Sequence, residues 1–257
     1  MLRISTPKQI LSILSAATLL MSASAFAATG PLARVDNQAD VARIAALNGD
    51  PVAQYILARS YRDGEGKVRN LARALEWYQK SAAQGFGPAQ LDLGQMFATG
   101  LGVERDFKVA FRWFQRAAEQ EQVTAYYNLG NMYRQGLGVK QDNAKAKEWY
   151  LKAAQAGVKQ AQYNLGVMFS QENDKQSTLY WYNKAAEQGM VKAQVQLAKL
   201  YQTGHLVEKN TSKAYYWYSA AADNGDAEAY RISQQLRVQV SQTQNDKTLS
   251  GESLAVQ

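Results

Sequence analysis

The chain has 257 residues, of which 20% are charged, a formal net charge of +7 and no cysteine. The missing cysteine excludes a disulfide framework, a thiolate metal site and a cysteine nucleophile, and leaves no acceptor for an N-terminal lipid anchor. The positive charge is mild and acids are interspersed along the chain, which suits a soluble protein with an acidic partner rather than a nucleic-acid groove.

Met1–Ala27 reads as a secretory signal peptide. Arg3 and Lys8 open it, and Ile10–Met21 (ILSILSAATLLM) is apolar but too short for a comfortable membrane span. Ala25 and Ala27 supply the small residues that a signal peptidase reads, so cleavage is expected after Ala27; the alternative is an uncleaved anchor. Removal leaves a charge of +5 and no other long apolar run. The mature chain is therefore expected to be periplasmic or secreted, with no membrane span.

Residues 28–37 form a short leader. Gln38–Gly49 has helical spacing, and its Val41, Ala45, Ala46 and Gly49 fall 36 residues before Trp77, Ser81, Ala82 and Gly85. It reads as the second helix of a unit whose first half is missing, capping a stack.

All five tryptophans mark repetition. Trp77, Trp113 and Trp149 are spaced by 36 residues, Trp181 follows after 32 and Trp217 after 36. A period in this range is the mark of a helical solenoid. The most regular unit is Ala125–Gly157. Its first helix carries Ala125, Leu129, Gly130 and Tyr133, a stripe on one face. The small residue beside Leu (Ala58, Gly94, Gly130, Gly166 or Ala198) lets a neighbour come close, since glycine inside a helix otherwise costs up to about 1 kcal/mol. Gly-x-Gly turns at Gly64, Gly100 and Gly136 end first helices. Asn70, Asp106, Asp142, Asp174 and Asn210, each seven residues before a Trp, can cap second helices. The second helix then brings Trp149 towards Ala146, Ala153 and Ala154, and the tryptophan is expected to be the main buried knob of each unit. The aromatics Tyr61, Phe97, Tyr133, Phe169 and Tyr201 are expected in the core as well.

The fourth unit, from Ala161, lacks the Gly-x-Gly-Val turn. This reads as a tolerated loop deletion or as an opened recess. Glu121 and Leu206 stand where other units have glycine. Asp226–Leu236 repeats a first helix and closes the stack, so the solenoid spans 38–236. The polar stretch 237–257 is expected to be disordered.

The pattern A-x3-L-G-x2-Y-x2-G-x-G-V-x2-D-x2-K-A-x2-W-x3-A-A-x2-G, met in full by Ala125–Gly157 and in part by the other units, resembles the Sel1-like repeat, a relative of the tetratricopeptide repeat. The resemblance covers Val41–Leu236. It implies an all-α, right-handed α/α superhelical solenoid of Sel1-like helix pairs. It also implies a non-catalytic adaptor in envelope signalling, assembly or contact with a host, rather than an enzyme.

The residues themselves show no catalytic constellation. His205, the one histidine, sits in an inter-helix turn without converging partners, and no glycine loop is followed by Lys-Ser or Lys-Thr. No metal site or cofactor is expected. An envelope enzyme or binding protein acting on peptidoglycan or a β-lactam is the alternative, and it would need a buried carboxylate pair or deep pocket. The positions that the motif leaves blank form a row on the first helices opposite the packed stripe. These are Tyr55, Arg59 and Arg62; Gln95; Tyr127, Asn131 and Arg134; Tyr163; and Lys199. Tyr and Arg anchor interfaces well, and Arg can grip a carboxylate in a bidentate pair. The row is expected to bind a protein or peptide segment, acidic or extended, on the concave face; the alternative is a solvated helix face.

Overall fold

The structure, a computed structural model, describes residues 37–249. Contacts divide the chain into two units, Met1–Val41 and Ala42–Gln257. Of the first, only the start of one helix is described. The signal-peptide reading and most of the leader lie outside the described residues.

Twelve helices and no strand make up the described residues. Helix α1 is Asn37–Leu47. Five pairs follow: α2 (Pro51–Asp63) with α3 (Leu71–Ala83), α4 (Gly87–Thr99) with α5 (Phe107–Glu119), α6 (Val123–Gln135) with α7 (Asn143–Gln155), α8 (Lys159–Gln171) with α9 (Lys175–Glu187), and α10 (Val191–Thr203) with α11 (Thr211–Asp223). Helix α12 is Ala227–Leu249. From α2 onward each helix packs on the next along the chain, more extensively within a pair than between consecutive pairs, and α12 packs as extensively on α11, so the all-α solenoid of helix pairs is the fold observed.

The boundaries are set locally. All five second helices start as the sequence predicts: Asn70, Asp106, Asp142, Asp174 and Asn210 accept hydrogen bonds from backbone N–H groups of the first turn, each worth about 1 kcal/mol. Four first helices end on a glycine in the left-handed region, among them Gly136 at φ 70°. Helix α8 ends instead on Glu172 in a right-handed conformation, because the fourth unit has no turn glycine. Among the described residues, three that are not glycine take positive φ: Glu121 (56°), Asn173 (57°) and Leu206 (61°). They stand at the places where the repeat departs from its pattern, so the backbone path persists where the glycine does not.

The core corrects one expectation. The tryptophans are only half-buried, and the residue after each one fills the unit: Tyr78, Phe114, Tyr150, Tyr182 and Tyr218 are 0–3% exposed. Helical geometry gives the reason. Ala146, Tyr150, Ala153 and Ala154 follow an i, i+4, i+7, i+8 stripe, all of them buried, and Trp149 sits about 100° round the helix from Tyr150. The indole is left at the margin, where Lys152 lies 4.4 Å from its ring centroid; Lys80 and Arg116 cover Trp77 and Trp113 in the same way. The core positions expected for Tyr61, Phe97, Tyr133, Phe169 and Tyr201 are also half-buried, with Arg73, Lys145 and Lys213 over three of these rings.

The packing glycines meet these buried rings. A Cβ at Gly94 would lie 2.8 Å from the Phe114 ring, at Gly130 2.6 Å from Tyr150 and at Gly166 2.4 Å from Tyr182. Between units, buried glutamines make the joint. Gln54, Gln90, Gln162 and Gln194 each donate to a carbonyl eight residues earlier, those of Ala46, Ala82, Ala154 and Ala186, at 3.1–3.2 Å. The third unit has Tyr126 at this position, stacked on Trp149 with ring centroids 5.9 Å apart.

The C-terminal helix extends beyond the packed stack. Helix α12 runs on through 237–249, where the sequence predicts a disordered tail. The core ends at Leu236, which is 6% exposed, while Val238 is 58% exposed. The stretch 237–249 holds no glycine or proline to break the helix, which therefore extends past its packed face.

Candidate interaction surface

The first helices α2, α4, α6, α8 and α10 hold every residue of the predicted row, one turn apart within each helix. They sort into three groups by what they touch.

Tyr55, Tyr127 and Tyr163 are half-buried, and each leans on the buried ring of its own unit. Tyr55 lies 5.9 Å from Tyr78, Tyr127 6.0 Å from Tyr150 and Tyr163 5.8 Å from Tyr182, between ring centroids. Tyr55 also meets Phe86 edge-on at 5.3 Å. Burial, helped by the Asp92 carboxylate, raises the Tyr55 phenol above its ordinary range. These tyrosines are the floor of the row.

Arg62, Asn131 and Arg134 are tied into polar networks. Arg62 forks onto Asp63 through Nε (2.7 Å) and Nη2 (2.9 Å), and its Nη1 reaches Asp92 of the next unit at 2.9 Å. The fork holds the Asp63 carboxyl below the usual carboxylate range and raises the guanidinium still further. With two carboxylates already in hand, Arg62 serves as a joint between the first and second units. In the third unit the Tyr150 hydroxyl donates to Asn131 Oδ1 at 2.7 Å and accepts from Arg134 Nε at 3.1 Å. Burial raises the Tyr150 phenol, and Arg134 pulls it partly back. In the fifth unit the Tyr218 hydroxyl donates to Gln202 at 2.8 Å, in the same manner.

Arg59, Gln95 and Lys199 are exposed. Arg59 stands 4.0 Å from Asp63 in a loose i, i+4 pair and 6.0 Å above the Tyr55 ring; such a surface pair is worth at most about 1 kcal/mol. Arg134, although hydrogen-bonded, is exposed too. The row therefore presents three exposed cations, Arg59, Arg134 and Lys199, alongside the tyrosines.

Sequence reasoning missed the polar partners beneath the row, Asp92 and the phenol of Tyr150. A signal was present: an aromatic residue follows every one of the five tryptophans. Next to the row, a recess of about 250 Å³ lies between the third and fourth units. Arg134, Gln141 and Asn143 form one wall, and Asn164, Val167, Met168 and Gln171 the other. His205 is exposed in the turn between α10 and α11. Among the described residues no group of three or more His, Asp or Glu could hold a metal ion, and no helix is long and apolar enough to cross a membrane.

The repeat description named Sel1 matches five consecutive segments, residues 51–86, 87–121, 123–158, 159–190 and 191–226. Among solved structures, a protective antigen present in uropathogenic Escherichia coli strains, displaying an SLR fold, is 35% identical with a TM-score of 0.72. The match covers 77% of this chain and 44% of that one, so the chain spans less than half of the antigen's length. A Sel1 repeat protein from Oxalobacter formigenes is 32% identical with a TM-score of 0.65, over 71% of this chain and 74% of that one. No curated protein matches the chain significantly.

Proposed function

The chain belongs to the Sel1 repeat family, whose members are generally protein-interaction scaffolds, and from that premise we propose that it is an exported, non-catalytic adaptor that binds an acidic protein or peptide segment along its first-helix row. One observation carries the reading. Arg59, Arg134 and Lys199 stand exposed on α2, α6 and α10, in one row with the half-buried tyrosines of α2, α6 and α8, which are braced by buried rings. Rigid aromatic area with cations around it is the composition that anchors interfaces. Helical solenoids use such rows as extended binding surfaces. Most of the site's fixed hydrogen bonds hold the scaffold together, as Arg62 and Asn131 do, and none aligns a nucleophile with a base.

Export rests on the cations Arg3 and Lys8, the apolar run and the small residues of Met1–Ala27. The periplasm, or the medium, is where the adaptor would act.

The test is crosslinking and pull-down from intact envelopes with the tagged chain, set beside the triple variant Arg59→Glu, Arg134→Glu, Lys199→Glu. Arg62 is left in place because its two carboxylates are structural. The variant should keep its helical circular dichroism and lose the crosslinked partner. Retention of the same partner by the folded variant would sink the reading. Cell fractionation of the untagged chain tests the location, and recovery with the cytosolic fraction would remove export from it.

A further inference from the structure

The shortened fourth unit does more than tighten a connection. In the second and third units the second glycine of the inter-helix turn packs on the first residue of the preceding unit's second helix. A Cβ at Gly102 would lie 2.5 Å from Leu71 Cβ, and one at Gly138 would lie 2.2 Å from the Phe107 carbonyl oxygen. Leu71, Phe107 and Asn143 open α3, α5 and α7, so Asn143 is the position that a fourth-unit turn would cover. That unit has no such turn, and Asn143 lines the recess. Leu71 and Phe107 lie under such turns, whereas the polar Asn143 faces the recess.

The walls are selective in composition. Gln141, Asn143, Asn164 and Gln171 are carboxamides, Arg134 is the one charged residue, and no carboxylate lines the space. Glu172 stands beside Gln171, but Lys147 holds it at 2.6 Å, bridging the third and fourth units where a turn is missing. Arg134 is fixed through Nε to the Tyr150 hydroxyl. Among the described residues its terminal nitrogens have no carboxylate partner. A positioned guanidinium with free terminal N–H groups is built for a carboxylate, and carboxamides offer both donors and acceptors to a peptide group.

We propose that the recess created by the missing turn receives a carboxylate of an extended peptide, gripped by Arg134, with the adjoining peptide group held by Asn143, Asn164 and Gln171. This rests on the partner-binding reading above and gives that surface a fixed point. The carboxylate can be an acidic side chain or a chain end; both present the same chemistry, and the test separates them.

The test titrates the purified full chain, labelled with nitrogen-15, with three small probes: acetyl-Ala-Glu-amide, acetyl-Ala-Ala with a free carboxylate, and acetyl-Ala-Gln-amide. The side-chain amide signals of Asn143, Asn164 and Gln171 should shift and saturate at about millimolar concentration with one or both of the carboxylates and not with the Gln control. Which carboxylate acts identifies the source. Arg134→Lys, which keeps the charge and loses the fork, should weaken binding about tenfold. Gln171→Ala, which leaves the Arg134–Tyr150 bond alone, should weaken it less. Inserting Gly-Leu-Gly-Val after Gln171 restores the turn and should abolish the shifts, with helicity retained. Equal shifts with all three probes, no shift up to about 20 mM, or shifts indifferent to Arg134→Lys and to the insertion each overturn the proposal. Failure here with partner capture intact condemns the recess alone; carboxylate binding without capture condemns the row.

Discussion

Gly130 and the ring of Tyr150 are in contact such that a Cβ on the glycine would lie 2.6 Å from Cδ1 and Cε1. The glycine thus gives up helix propensity in α6 so that the second helix can bury an aromatic ring against its backbone. Gly130→Ala should gain about 1 kcal/mol in propensity and lose about 1–3 kcal/mol in overpacking, because the ring is fully buried and has nowhere to go. A lowered unfolding midpoint in urea is the expected outcome, and a raised one would show that the ring can yield. The first and fifth units hold Ala58 and Ala198 against Tyr78 and Tyr218, so the cost is in the spacing already set for glycine.

The burial order within a unit gives a sharper contrast. Tyr150→Ala removes a side chain that is 0% exposed and should cost about 3–5 kcal/mol, as truncations of large buried rings do. Trp149→Ala removes a larger but half-buried ring and should cost clearly less. Chemical denaturation of the two single variants measures the difference. A more damaging Trp149→Ala would restore the tryptophan as the central knob.

That reversal shows where the sequence was legible. Period, caps and turn glycines are local signals, and the structure follows them: each of Asn70, Asp106, Asp142, Asp174 and Asn210 caps its helix. Which of two adjacent aromatics faces the core depends on a rotation of about 100°, and a repeated Trp draws the eye away from the Tyr or Phe beside it. The row was legible as positions, because the motif leaves them blank. Its internal commitments were not. Arg62 reaches Asp92, 30 residues away in sequence, and no local pattern announces that pairing. The recess was legible only as a missing turn; its polar walls come from Asn143 and Asn164, which two different helices bring together.

The left-handed residues offer a stabilising change. Glu121 stands at φ 56°, where glycine stands in other units, and it is exposed. A non-glycine residue there costs about 1–2 kcal/mol, and glycine gives back part of that in unfolded-state entropy. Glu121→Gly should therefore raise stability by about 0.5–1 kcal/mol, seen as a higher thermal midpoint. Leu206→Gly, at φ 61°, should gain less or lose, since Leu206 packs against the Tyr182 cluster. Equal gains at the two sites would show that this packing contributes nothing.

Alkali should unfold the stack from its buried phenols. Burial raises Tyr78, Tyr150, Tyr182 and Tyr218 above the ordinary value of 10.0. A phenol is neutral below its pKa, so below about pH 10 neither the folded nor the unfolded state loses a proton and stability is unaffected. Above that, the unfolded chain ionises first and binds fewer protons than the folded one, and stability falls as pH rises. The slope is about 1.4 kcal/mol per pH unit for each buried phenol, so four acting together should exhaust a typical domain stability within one or two units. The check is helical ellipticity followed together with tyrosinate absorbance. The buried four should ionise in the same step as the helices melt. A single smooth titration of all tyrosines in a chain that stays helical at about pH 12 would mean that these phenols reach solvent without unfolding.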